Sequence, residues 1–84
     1  MIVSKIRHKF ANRLSELILS KQTDIYSMEK EIRISKSSLN RYLNARAEPT
    51  LTNLVILSNY FGVTLDELTG RRSNGERSDS REEK

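Results

Sequence analysis

Cysteine and tryptophan are both absent from this 84-residue sequence, which has one proline, one histidine and three glycines. Without cysteine there can be no disulfide and no thiolate metal site, and a reducing compartment is compatible. The single histidine, His8, has no cysteine and no clustered carboxylates around it, so it reads as a surface residue of a first helix rather than as a metal ligand or catalytic base. Long apolar runs are missing too. The longest is Leu54-Val55-Ile56-Leu57, against the roughly 18–20 residues that span a bilayer. The opening Met1-Ile2-Val3-Ser4-Lys5 holds no hydrophobic region of signal-peptide length. The expectation is a soluble, cytoplasmic protein without a membrane partner.

Catalytic signatures are equally scarce. Glu29 and Glu31, or Asp66 and Glu67, stand at separations that do not face one another on a helix. There is no Gly-rich phosphate loop and no nucleophile, base and orienting group that can be assembled into a site. The sequence therefore predicts no catalytic residue, no metal, no cofactor and no small-molecule substrate: not an enzyme. No stretch alternates apolar and polar residues as a half-buried strand would.

What the sequence does have is length for one domain and a net charge of +4. A chain this short buries only about 60–65 % of its extended surface on folding, so the core is small. Residues 71–84 contain no hydrophobic side chain and carry five basic and four acidic residues, which leaves +3 of the +4 on residues 1–70. The reading is a folded domain over 1–70 and a disordered polar tail over 71–84, with an arm led by Arg71 and Arg72 as the alternative for the tail. The positive excess of the folded part favours polyanion partners.

Five helices are predicted. The first runs from about Lys5 to Ser20, with Ile6, Phe10, Leu14, Leu17 and Ile18 on one face. Asp24 caps a short second helix in which Met28 and Ile32 lie one turn apart, and Ser35 caps a third over about Lys36 to Asn44. Pro49 breaks the pattern, and Thr50 caps a fourth helix carrying Leu51, Leu54, Val55 and Phe61. Gly62 supplies the left-handed residue that ends it. Thr64 and Glu67 have the spacing of a capping box at the start of a short fifth helix that Gly70 closes. The fold class is all-α.

The informative stretch is Asp24 to Asn44: two short helices joined by three or four residues, the spacing of a helix-turn-helix. At about 100° per residue, Leu39, Tyr42 and Leu43 occupy one side of the third helix, and Ser37, Asn40, Arg41 and Asn44 the other, with Lys36 at its edge. The outer side holds hydrogen-bonding side chains and no carboxylate. These are the donors and acceptors that read base edges in the major groove, with Arg41 having the reach and fork for guanine. Of the three tyrosines, Tyr42 falls on the buried side, Tyr60 beside Phe61 is half-buried, and Tyr26 is free to meet a phosphate.

Residues 13–70 resemble the phage repressor and Cro type of helix-turn-helix, the XRE-like family. The resemblance is carried by Ser35-Lys36-Ser37-Ser38-Leu39-Asn40-Arg41-Tyr42-Leu43-Asn44, Arg46, Glu48-Pro49-Thr50-Leu51, and the closing Tyr60-Phe61-Gly62-Val63-Thr64-Leu65-Asp66-Glu67-Leu68. It implies a five-helix bundle whose third helix enters the major groove. It matches Lys36, Ser37, Asn40 and Arg41 to base contacts, Asn44 and Arg46 to phosphate contacts after that helix, and Ile25 and Tyr26 to the phosphate contact that opens the second. Three positions depart from the family. Ile25 stands where Gln is usual and cannot bond phosphate, which leaves Tyr26 for that role. Glu29 stands where a small residue is common. Arg33 stands where Gly is usual, at a position that often needs positive φ.

The expectation is thus a sequence-specific regulator of transcription, repressor-like and of the kind found in phages and mobile elements. It would bind double-stranded DNA as a homodimer on an inverted repeat with half-sites about 34 Å apart. Dimer contacts would come from helix five, its flanks or Met1-Ile2-Val3. The alternative is a protein-interaction module or antitoxin on the same fold, using an apolar patch of Val55, Ile56 and Tyr60.

Overall fold

The computed structural model describes residues 2–70, with side chains from residue 5 onward; the tail reading for 71–84 and the position of Met1 lie outside the described residues. Five α-helices follow one another: α1 Ile2–Lys21, α2 Ile25–Glu31, α3 Lys36–Leu43, α4 Leu51–Phe61 and α5 Leu65–Leu68. Among the described residues there is no strand. The long first helix packs on α3 and α5, α2 on α3, and α4 on α5.

The helix starts are set by side chains one residue outside them. Asp24, Ser35, Thr50 and Thr64 each hold an extended backbone and accept the N–H three residues on, from Ser27, Ser38, Asn53 and Glu67 respectively. Each such cap contributes about 1 kcal/mol by satisfying an otherwise orphaned donor. The Ser27 N–H also holds the Asp24 carboxyl below its ordinary range. Thr64 and Glu67 complete the capping box: Glu67 Oε1 accepts the Thr64 N–H at 2.9 Å while Thr64 Oγ1 accepts the Glu67 N–H at 3.1 Å.

Three helices end alike, with a left-handed residue and reversed hydrogen bonds that recover the last carbonyls, two in α1 and α3 and one in α4. In α1, Gln22 N–H reaches Leu19 O and Thr23 N–H reaches Ile18 O, both at 3.1 Å; in α3, Ala45 N–H reaches Tyr42 O at 3.1 Å and Arg46 N–H reaches Arg41 O at 2.9 Å. In α4, Val63 N–H reaches Ser58 O at 3.0 Å. The left-handed positions are Gln22 (φ 59°), Ala45 (φ 57°) and Gly62 (φ 69°). Only the last is a glycine, so the first two hold a strained conformation that residue type did not announce.

The expectation of positive φ at Arg33 is corrected. Arg33 is not in the left-handed region. Ile32 caps α2 in an extended conformation (φ −124°, ψ 165°) with its N–H on Met28 O, and the chain turns from there without needing a glycine.

Phe10, Leu14, Leu17, Met28, Ile34, Leu39, Tyr42, Leu57 and Leu68 form one buried cluster fed by all five helices and the α2–α3 turn. Phe10 and Tyr42 meet edge to face at 5.5 Å, an arrangement favoured by the ring quadrupoles. Arg13 ties α1 to α5 by donating from Nε to Glu67 O at 2.9 Å. The helical periodicity overstates the core at its edges. Ile6 is 50 % exposed, Leu51 70 % and Val55 42 %, and the deeply buried residues of α4 are Leu57 and Ser58.

Candidate nucleic-acid interface

The third helix divides as its sequence pattern requires. Leu39 and Tyr42 are buried and Leu43 is half-buried, whereas Ser37, Asn40, Arg41 and Asn44 are exposed and Lys36 is partly so. Burial of Leu39 and Tyr42 against Phe10 and its neighbours fixes the rotation of the helix about its axis, and so fixes which four side chains face outward. The Tyr42 hydroxyl accepts from Asn53 Nδ2 at 2.9 Å, which satisfies the one polar atom on the inner side and ties α3 to α4.

From Arg33 to Ala47 the chain carries four basic residues and no acidic one. Among the described residues, the ion pairs are Arg7–Glu48 and Arg13–Glu16, so the side chains of Arg33, Arg41 and Arg46 face solvent without a carboxylate neutralising them. That is the arrangement a polyanion needs, because exposed cations already paired gain little from a phosphate. Asn40 and Asn44 are tied together instead. Asn44 Nδ2 donates to Asn40 O at 2.9 Å and to Asn40 Oδ1 at 3.2 Å, which links the two exposed amides.

Tyr26, in the first turn of α2, is 61 % exposed, and the Lys36 ammonium sits 4.3 Å from its ring centroid. This cation–π contact joins the first turns of the two helices. Tyr26, Lys36, Ser37, Asn40, Arg41 and Asn44 therefore lie on one continuous surface. Arg46 follows it in the turn that ends α3, its exposed side chain carried by a backbone held on Arg41 O. Ile25 is half-buried against the core.

Glu29, which the sequence marked only as standing where a small residue is common, takes part in the start of α3. It is exposed, and its Oε2 accepts the backbone N–H of Lys36, the first of α3, at 2.9 Å. A carboxylate at that point bonds an orphaned donor and complements the positive end of the helix dipole. It also sets a negative charge at the edge of a positive surface. The partners are seven residues apart and meet only because the turn folds α2 against α3, so local spacing gave no signal.

Among the described residues, no group of three or more His, Cys, Asp or Glu could hold a metal ion, and no helix is long and apolar enough to cross a membrane. His8 is exposed on α1. No curated protein and no solved structure matches the chain. The family model described as helix-turn-helix matches residues 14–68, from the middle of α1 to the end of α5. With well over half of its length matched, the chain belongs to the XRE-like helix-turn-helix family of DNA-binding transcriptional regulators.

Proposed function

We propose that this protein is a repressor-like regulator that binds an inverted-repeat operator as a homodimer, each copy laying α3 in the major groove. Arg41, Asn40, Ser37 and Lys36 read base edges. Tyr26, Asn44 and Arg46 hold backbone phosphates on either side. The observation that carries this reading is the outer face of α3: four exposed hydrogen-bonding side chains without a carboxylate, on a helix whose rotation is fixed by Leu39 and Tyr42 in the core.

On this reading the labour is divided. Arg41, one turn into α3, can meet guanine O6 and N7 in a bidentate contact, and Asn40, linked to Asn44, suits adenine N6 and N7. Lys36 rests on the Tyr26 ring, which holds its charge at the mouth of α3 where a phosphate passes as readily as a base. Affinity should fall steeply with salt, since each phosphate neutralised releases about 0.9 counterion. Selection of bound duplexes from a random library at physiological salt tests the reading. A two-fold symmetric motif supports it, and a folded protein that enriches nothing refutes it.

A second reading, an interaction module or antitoxin on the same fold, draws on the exposure of Leu51 and Val55. Ile56 and Tyr60, which that reading also expected outside, are half-buried against the core. In a module of that kind the outer face of α3 would tolerate charge reversal, which sets the two readings apart.

A further inference from the structure

Lys36 is held by α2 at both of its ends. Its backbone N–H donates to Glu29 Oε2 at 2.9 Å, and its ammonium lies 4.3 Å from the centroid of the Tyr26 ring. Tyr26 and Glu29 are three residues apart on α2, the separation that puts two side chains on one helix face. Among the described residues, Arg33, Arg41 and Arg46 have no comparable hold on their charged ends. We propose that Tyr26 is a positioning residue: its ring sets the Lys36 ammonium for a guanine of the operator. Preference at that base pair then depends on a ring that does not touch the base.

A lysine is otherwise a poor reader of sequence. Its flexible stem loses more freedom than most side chains when a contact fixes it. Its ammonium is a point charge, which a phosphate oxygen satisfies as well as a base edge does. Anchoring both ends changes that. Glu29 fixes where the side chain leaves the helix, and the ring restricts where the charge comes to rest, so part of the ordering precedes DNA binding. The contact also strengthens as DNA displaces water, because cation–π attraction grows on desolvation. The ring takes one side of the ammonium, and no carboxylate pairs with the rest. Donors therefore remain for guanine O6 and N7.

Two parts of the Tyr26 side chain thus have separate roles. The hydroxyl meets a phosphate, and losing a phosphate contact weakens all duplexes alike. The ring acts through Lys36, and losing a base contact relaxes preference at one position. Phenylalanine keeps the ring without the hydroxyl, and leucine keeps neither.

The inference rests on the reading of DNA by α3, and the test keeps the two apart. Full-length Tyr26→Phe, Tyr26→Leu, Lys36→Met and the Tyr26→Leu/Lys36→Met double variant are titrated with the selected operator. The same titrations use operators changed at one base pair at a time. Tyr26 is 61 % exposed, so all four variants should melt as the parent does. Lys36→Met should relax preference at one guanine. Tyr26→Phe should weaken every duplex alike and keep that preference. Tyr26→Leu should also relax it, by about two- to fivefold, and the double variant should discriminate no worse than Lys36→Met. In the free protein, NMR should find the Lys36 ε-methylene protons shifted upfield by the ring in the parent and in Tyr26→Phe, but not in Tyr26→Leu. Four results would overturn the inference while leaving the operator reading in place: no guanine lost with Lys36→Met, uniform weakening by Tyr26→Leu, equal relaxation by Tyr26→Phe, or additive losses in the double variant. Absence of the upfield shift in the parent would do the same. A folded protein that shows the shift yet selects no duplex removes the operator reading, and the role of Tyr26 falls with it.

Discussion

Helices α3 and α4 are built from the same plan and present opposite surfaces. Each is capped by a hydroxyl residue, Ser35 or Thr50. Each ends in a left-handed residue and buries one face in the shared core, and the two are joined by the Tyr42–Asn53 hydrogen bond. Outside, they part company. From Arg33 to Ala47 there are four cations and no anion, whereas from Pro49 to Leu65 there is no charged residue at all. The first exposes Ser37, Asn40 and Arg41; the second exposes Leu51 and Val55. The core fixes how each helix is rotated, and composition alone decides what that rotation presents. A small domain can therefore separate a cationic, hydrogen-bonding face from an apolar one without adding an element.

The contrast breaks most completely at Arg41. Arg41→Glu replaces an exposed, unpaired cation by an anion in the middle of the α3 surface. Loss of one bidentate base contact is worth about 1–3 kcal/mol, and repulsion of phosphates adds to it, so specific binding should fall at least about 100-fold. The melting temperature should barely move, because the side chain touches nothing in the core. A competition binding assay with thermal melting of the same sample checks both halves. Unchanged affinity would return the face to an ordinary solvated surface, and loss of folding would mean that α3 is rotated differently.

The link between the two helices is the next effect in size. Tyr42→Phe removes the acceptor of Asn53 Nδ2 in a partly buried position and should cost about 1–2 kcal/mol of stability, read by urea denaturation. Specific DNA binding should persist at temperatures where the variant is folded, since the ring itself still fixes the rotation of α3. If affinity drops while stability does not, the bond orients α3 rather than merely holding it.

The two helix ends offer a sharper comparison, because the same motif contains glycine in α4 and alanine in α3. Nothing lies within 4 Å of where a Cβ on Gly62 would sit, so Gly62→Ala tests conformation alone and should destabilise by about 1 kcal/mol. Ala45→Gly at φ 57° should do the reverse, raising stability by up to about 1 kcal/mol. That corresponds to roughly 4–8 °C per kcal/mol in the melting temperature of a domain this size. Shifts of the same sign in both variants would show that the left-handed backbone is not what governs either end.

The residues that sequence made legible are those whose partners are local. Asp24, Ser35, Thr50 and the Thr64–Glu67 box could be read because a cap bonds a donor three residues away. The outer face of α3 was legible because one helix was enough to define it. What escaped depends on neighbours distant in sequence. Ile6 and Leu51 share the period of the buried residues, and nothing local reveals that no element covers them. Gln22 and Ala45 adopt positive φ without being glycine, because the reversed hydrogen bonds of their turns hold them there. At Arg33 the opposite occurred: the resemblance, in which Gly is usual at this position, led to an expectation of positive φ that the structure does not show.

Glu29 provides the smallest and most discriminating effect, since among the described residues it is the acid bonded to the first residue of α3. Its carboxylate accepts Lys36 N–H, and glutamine can keep that acceptor while discarding the charge. Glu29→Gln should weaken the cap slightly, because a charged acceptor at a helix N-terminus is the stronger one, lowering stability by less than about 1 kcal/mol. DNA affinity should move the other way. Removing an anion beside the phosphate path should tighten binding by about two- to fivefold at low salt, a gain that fades as ionic strength rises and the charge is screened. Titrations at two salt concentrations on the same operator measure it. A gain that persists at high salt would mean Glu29 obstructs the groove by shape. A loss at low salt would mean that its charge is needed to hold α3 in the orientation that DNA reads.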